Sequence, residues 1–357
     1  MKPSLLIREA LAERLPNWLW FQLIITWLTG AALKEQLLPK MNWYVCFIIA
    51  LGSLLFGVLA AYFAVSNDQF VLVPLCWIFT LYGMRYLQLV IVHNASHQNI
   101  TKRKEVDAQI GFWLSTFLMI QNFEHYGPSH ALDHHRWHTL STDKDPTVVS
   151  LERAGIKAGK SVRCLVMDLF IALLSPIYHG KALWERLKSY FYSASVKASV
   201  VVIAFLFINA VLLAVLDPIG MIIAWLIPVT VLYQQSALLR LVVEHTWDMC
   251  PETRRSREDS FELTQAVFLG SEPPETNNVF AWVRWTCAMV AVLLVRLIVL
   301  PGDSGAAHDW HHQSPRGDWP NYIAQRREQV AKHPNDYDEI WGYRRALLAS
   351  FTSMSKR

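Results

Sequence analysis

The chain has 357 residues, 53% of them apolar and 17% charged, with a mean hydropathy of +0.23 and a formal charge of +4. Apolar residues this numerous, gathered into long runs, exclude a soluble globular enzyme, and a small positive excess carried in short clusters points to anionic lipid rather than to nucleic acid. Five scattered cysteines (Cys46, Cys76, Cys164, Cys250 and Cys287) never form a C-x-x-C pair, and they fit free thiols in or beside apolar segments better than a disulfide framework or a zinc site.

The N-terminal stretch MKPSLLIREALAERLPNW carries five charged residues before any apolar run, and it lacks the features of a cleavable leader. Residues 17–38 are long enough to span but are interrupted by Gly30, Lys34 and Glu35. Residues 43–65 and 70–92 are each long enough to cross a hydrocarbon core of about 30 Å, and they form a hairpin across the loop SNDQ at 66–69. Residues 108–120 and 164–178 are too short and read as re-entrant or interfacial. Residues 200–216 and 219–243 form a second hairpin across Asp217-Pro218. Residues 281–300 match a span in length but contain Arg284 and Arg296, and they read as lying within or along the membrane surface without crossing.

The loops at 66–69 and 217–218 lack Lys and Arg, whereas KRK at 102–104 and RRSR at 254–257 are basic, which places the loops outside and the basic segments on the cytoplasmic side. The fifteen tryptophans, several flanking the apolar runs, fit interfacial belts. The expected fold is an all-α integral membrane bundle, with two transmembrane hairpins, interfacial helices and a cytoplasmic cap. It forms one domain over 1–357 with its core at about 40–315. A bacterial inner membrane is the expected location.

Eight of the thirteen histidines fall into three short groups: HNASH with His93 and His97, HALDHH with His130, His134 and His135, and HDWHH with His308, His311 and His312. A ninth, His245, stands in VVEHTWD, just past the second hairpin. Side chains three and four residues apart share a helix face, so each group presents two or three imidazoles in one direction. Imidazole suits iron, zinc, copper or nickel. Nine ligands are too many for one ion, and two ions sharing them have four or five each, which points to a dinuclear redox site. His125, His138, His179 and His333 stand outside this set, although His138 is four residues from His134 and is an alternative to His130 or His245. Carboxylates beside the groups are candidates to orient the imidazoles: Asp133, Glu244, Asp309, and Asp143 or Asp145. Trp137, Trp247 and Trp310 are placed to shield the site from water. A substrate channel between the hairpins would be lined one or two turns before the histidines, by Tyr86, Leu87 and Val90 on one side and Ser236, Ala237, Leu239 and Arg240 on the other.

The pattern H-x3-H, then H-x3-HH, then a distal H-x2-HH resembles the signature of the membrane fatty acid desaturase and hydroxylase superfamily. The likeness covers roughly residues 40–315. HALDHHRWHTLSTDKDP resembles its second box, HHQSP the close of its third, and RLVVEHTWD the isolated Glu-His of its alkane monooxygenases, which would make His245 the ninth ligand. The resemblance implies two non-haem irons on the cytoplasmic side, with O2 as co-substrate attacking an unactivated C–H bond of a long acyl chain. Desaturation is the leading outcome. Hydroxylation of a lipid, alkane or carotenoid, and oxidative decarboxylation to a terminal alkene, are the alternatives within the superfamily. The chain carries no rubredoxin-like cysteine pairs, no haem-attachment motif and no G-x-G-x-x-G loop. An external electron carrier is therefore implied: a ferredoxin, a rubredoxin, or a small cytochrome with its reductase. A metal transporter or a haem membrane protein is the remote alternative, but both place their histidines inside spans rather than at helix ends.

Overall fold

The computed structural model describes residues 3–192, 195–249, 256–302 and 304–356; Cys250 and the Arg254-Arg255 part of the second basic cluster lie outside them. The protein is an all-α membrane bundle. Among the described residues, five helices are long and apolar enough to cross a bilayer: Trp43–Ser66, Phe70–Ser96, Val196–Val215, Pro218–Glu244 and Val279–Val299. Their outward faces carry large apolar side chains such as Ile48, Phe56, Phe63, Ile203 and Phe207, the reverse of a water-soluble surface.

The first four of these helices make the two hairpins. In the first hairpin a side chain on Gly83 would collide with the backbone of Ala50 and Leu54, and one on Gly57 with Thr80. Small residues thus let the two helices touch backbone to backbone, which is the packing that lipid-embedded helices rely on. In the second, the Trp225 indole N–H donates to the Asn209 amide oxygen at 2.9 Å. The hairpins meet at one end, where the Asp217 N–H donates to the Tyr62 hydroxyl at 3.2 Å. Both turns therefore lie at the end of the bundle away from the histidines.

The other apolar stretches resolve differently from one another. Within residues 17–38 the helix is only Leu19–Thr29, closed by Gly30 in the left-handed conformation (φ 79°), and eleven residues rise about 16 Å, too little to cross. A side chain on Gly30 would also collide with Ala306. Residues 164–178 belong to two helices, Val162–Leu174 and Pro176–Tyr192, bent by 71° at Ser175. The helix Val279–Val299 has the length and composition of a span, yet the chain that enters it and the chain that leaves it meet again, the Val267 N–H donating to the Gly305 carbonyl at 2.9 Å. The segment leading out to it, 269–278, is non-helical and contains Glu272 and Glu275. Hydrocarbon cannot hold exposed irregular backbone; this physical argument favours a helix that returns to its own face.

The C-terminal residues form part of the cap. A strand at Glu339–Trp341 pairs in parallel with Ala266–Phe268, the one small sheet among the described residues. The helix Tyr343–Ser355 buries Ala346, Phe351 and Met354 with Leu165, Leu169, Leu238 and Val242 in a shared core.

Candidate metal centre

Nine histidines converge at the inner end of the two hairpins, and they sort into two groups. His93, His97, His130, His135 and His311 form one; His134, His245, His308 and His312 form the other, with all donor nitrogens of a group within 4.8 Å of one another. Seven of these side chains are buried, while His135 and His312 are partly buried. The groups adjoin where the His135 and His312 rings stack at 4.1 Å.

Local backbone geometry decides which imidazole joins which group. His130–His134 is a π-helical turn with His135 at its end, and the His135 N–H bonds to the His130 carbonyl. That i to i+5 geometry brings His130 and His135 together, their Nε2 atoms 3.2 Å apart, and turns His134 the other way. The sequence expectation that His130 and His134 share a face is corrected by this turn. In the third box, His308 and His312 do lie one α-helical turn apart in one group, while His311 faces the other. A second π-helical stretch, Leu87–Val92, delivers His93. His245 follows the Tyr233–Glu244 helix in an extended conformation, held by a bridge to Thr264.

The donor set suits a metal. His93 Nδ1 donates to the Leu89 carbonyl at 3.0 Å and His245 Nδ1 to the Leu263 carbonyl at 3.2 Å, so the Nε2 of each neutral ring carries a free lone pair. These atoms point at one another: His245 Nε2 lies 3.2 Å from His134 Nε2 and 3.1 Å from His308 Nε2, and His311 Nε2 lies 3.2 Å from His135 Nε2. The Nε2 atoms of His93, His97 and His312 are buried without a hydrogen-bond partner. Lone pairs crowded face to face in a dry interior are unfavourable unless a cation sits among them. Burial, reinforced by neighbouring imidazoles, pushes His130, His135, His245, His308, His311 and His312 well below the usual histidine range, and burial with His134 and Arg316 brings His97 to about 3. Neutral rings are the form that binds metal.

His134 differs. Burial would lower it, but the Asp145 carboxylate, with Glu244 beyond, outweighs burial and raises it. Asp145 accepts from His134 Nδ1 at 3.1 Å, and from the backbone N–H groups of Ser141 and Thr147 at 2.9 Å each. It caps the Pro146–Arg153 helix, which is why Asp-Pro follows the second box: a capping carboxylate, then a proline whose missing N–H is not needed in the first turn. Changing Asp145 to Asn keeps the cap but removes the charge that orients and enriches His134. We expect metal affinity, measured by chelator competition, to fall about 10-fold or more, at the low end of the 10–100-fold range for such partners. Unchanged affinity would mean that this carboxylate serves the helix alone.

The other expected carboxylates take different positions. Glu244 lies on the metal-facing side, with its Oε1 3.8 Å from His134 Nε2 and 3.6 Å from His308 Nε2, and it pairs with Arg240. Asp309 meets no imidazole and instead accepts from Arg326 at 2.7 and 2.8 Å. Asp133 offers its backbone carbonyl to Thr139, and Asp143 is exposed. His138 joins neither group; its ring packs on Trp137. Trp247 is fully buried against His245, Trp310 is partly buried, and Trp137 is exposed.

A cavity of about 1140 Å³ opens onto His93, His130 and Glu244. Arg240 and Ala237 line it, as the sequence suggests. Tyr86, Leu87, Val90, Ser236 and Leu239 do not: Tyr86 faces a separate pocket with Trp27 and Arg296, and the Ser236 hydroxyl donates to the Ile298 carbonyl. The lining faces of the two helices are instead set by Arg85, Gln88 and Leu89 on one and Tyr233, Gln234 and Leu241 on the other. The π-helical turn between Tyr86 and His93 shifts the helix phase, so counting back from the histidine in steps of 3.6 selects the wrong neighbours. Sequence reasoning passed over Arg85, although a charged residue inside an apolar run is itself a sign of a functional cavity.

A family model described as fatty acid desaturase matches residues 68–341, a stretch that contains all nine histidines. The chain belongs to the fatty acid desaturase family. No curated protein matches it. Family membership makes the chain an oxidoreductase of the desaturase and hydroxylase type, integral to a membrane, and the transporter and haem readings fall away.

Proposed function

We propose that this desaturase-family chain is an O2-dependent non-haem diiron enzyme that introduces a double bond into a long acyl chain, on the cytoplasmic side of a bacterial inner membrane. The observation that supports this reading is the division of nine buried imidazoles into groups of five and four beside one cavity. Five nitrogens would hold one iron and four the other, with Glu244 facing the second. Irons held there would supply the oxidising power for desaturation: with O2, two electrons from an external carrier and two protons, two hydrogens would leave adjacent methylenes and two waters would form.

The residues of the chain supply position and dryness. Leu89, Leu263 and Asp145 fix the rings through their Nδ1 atoms. Tyr126, stacked on His130 at 5.3 Å, forms part of the wall where the acyl chain passes. Trp247 closes the side behind His245.

Mass spectrometry of products from deuterated fatty acids, with purified protein, reductant and O2, tests the reading. Loss of two hydrogens with no oxygen incorporated supports desaturation. Gain of one oxygen identifies a hydroxylase, and loss of carbon dioxide identifies a decarboxylase. Ala237→Trp should narrow the cavity and shift products towards shorter chains or different positions with iron content unchanged, whereas Ser236→Trp, on the packed face, should lower protein yield instead. An equal loss of all products in Ala237→Trp would place the acyl chain elsewhere.

A further inference from the structure

The wall of the cavity carries more positive charge than the protein neutralises. Arg85 is 1%, Arg240 7% and Arg186 8% exposed, and all three line the cavity. Its wall has three acids. Glu244 is taken by Arg240; Glu185 is solvent-accessible beside Arg153 and Lys188; Asp133 is partly exposed. Among the described residues, no carboxylate lies within ion-pair distance of Arg85 or Arg186. Both guanidiniums lie against the Tyr233 ring, at 5.3 and 5.0 Å from its centre. Arg85 spends one nitrogen on Gln88 at 2.6 Å, and Arg186 donates to the Val229 and Thr230 carbonyls. The Nε of each is buried with no hydrogen-bond partner.

Two buried guanidiniums with no carboxylate at ion-pair distance are costly unless an anion arrives to meet them. The planar fork of arginine matches a carboxylate. We infer that Arg85 and Arg186, bracketing Tyr233, form the seat for the carboxylate of a free fatty acid, so that the enzyme takes the acid itself rather than a thioester or a neutral alkane. This rests on the acyl-chain reading above and narrows it. Arg85 precedes His93 by eight residues on one continuous helical run, at most about 12 Å along the axis. The attacked carbon would therefore be counted from the acid end. Exposed Lys144 and Lys181 on the same cavity wall would draw the anion in.

Equilibrium binding to the purified protein without reductant, read by displacement of a fluorescent fatty acid, tests this with three probes of one chain length: the free acid, its methyl ester and the alkyl phosphate. The acid should bind roughly 10- to 100-fold more tightly than the ester, the size of a lost charged hydrogen-bond pair. Arg85→Gln, which keeps a polar group beside Gln88, should remove that advantage and leave ester affinity unchanged; Arg85→Lys should recover only part of it. Equal binding of acid and ester by the unaltered protein overturns the inference, and this arm does not depend on any variant folding. Loss of both affinities in Arg85→Gln overturns it too, since that is a packing role. Tighter binding of the alkyl phosphate than of the acid overturns it in favour of a phosphate head. Acid selectivity with no oxidised product would instead count against the proposed reaction, and oxidised product without acid selectivity against the anion seat alone.

Discussion

His311→Ala should abolish turnover and take one iron, or most of one, from each purified chain. His311 belongs to the group of five, with its Nε2 3.2 Å from that of His135. Losing a partner that merely orients a ligand typically costs 10–100-fold, and losing the ligand itself should cost more. Elemental analysis and Mössbauer spectroscopy give the readout: the five-histidine signal should weaken while the four-histidine signal persists. His138→Ala is the control, since its ring joins neither group, and it should retain full iron content and at least near-normal activity. Two irons per chain and full activity in His311→Ala would remove the basis for a dinuclear centre divided five and four.

Arg326→Ala should be the most damaging single change to stability outside the histidines. Arg326 is buried and clamps Asp309, from the third box, with two nitrogens, while a third nitrogen reaches Glu339 at 2.9 Å. Burial pushes the Asp309 carboxyl up, and Arg326 counters it only in part; burial would lower the guanidinium, yet Asp309 and Glu339 hold it raised. Removing the arginine takes the ion-pair partner from the buried Asp309 carboxylate, and breaking a pair of this kind from one side costs about 3–5 kcal/mol. Because the clamp ties the His308–Gln313 helix to the strand Glu339–Trp341, lost stability should be accompanied by lost iron. Thermal unfolding in detergent, followed by tryptophan fluorescence, measures the first effect. Replacing both partners, Asp309→Leu with Arg326→Met, should recover part of the stability. A single variant as stable as the parent would show that the clamp is incidental.

Several features were legible because they depend on local chemistry. Apolar runs of about twenty residues can only be spans or interfacial helices, so both hairpins could be read directly. Loop charge placed both turns at one end, and the Asp217–Tyr62 contact joins them there. Asp145 was one of several carboxylates near the boxes, and nothing in the sequence separated it from Asp133 or Asp309. The separation comes from tertiary structure: the turn after the second box folds Asp145 back onto His134, while the helix Tyr322–Lys332, beginning ten residues beyond the third box, carries Arg326 to Asp309.

The amino-acid sequence by itself determined the membrane class, the three histidine boxes and the lone His245, since hydropathy and residue type need no partner to be read. Tertiary structure decided how nine imidazoles divide into five and four, and which face of each hairpin helix lines the cavity. The reason is geometric. π-helical turns at Leu87–Val92 and His130–His134 rotate side chains away from the 3.6-residue period, so a count made on that period does not find the faces they present. Arg85 and Arg186 are 101 positions apart in the sequence, and they become one charged seat only because Tyr233, from a third segment, stands against both.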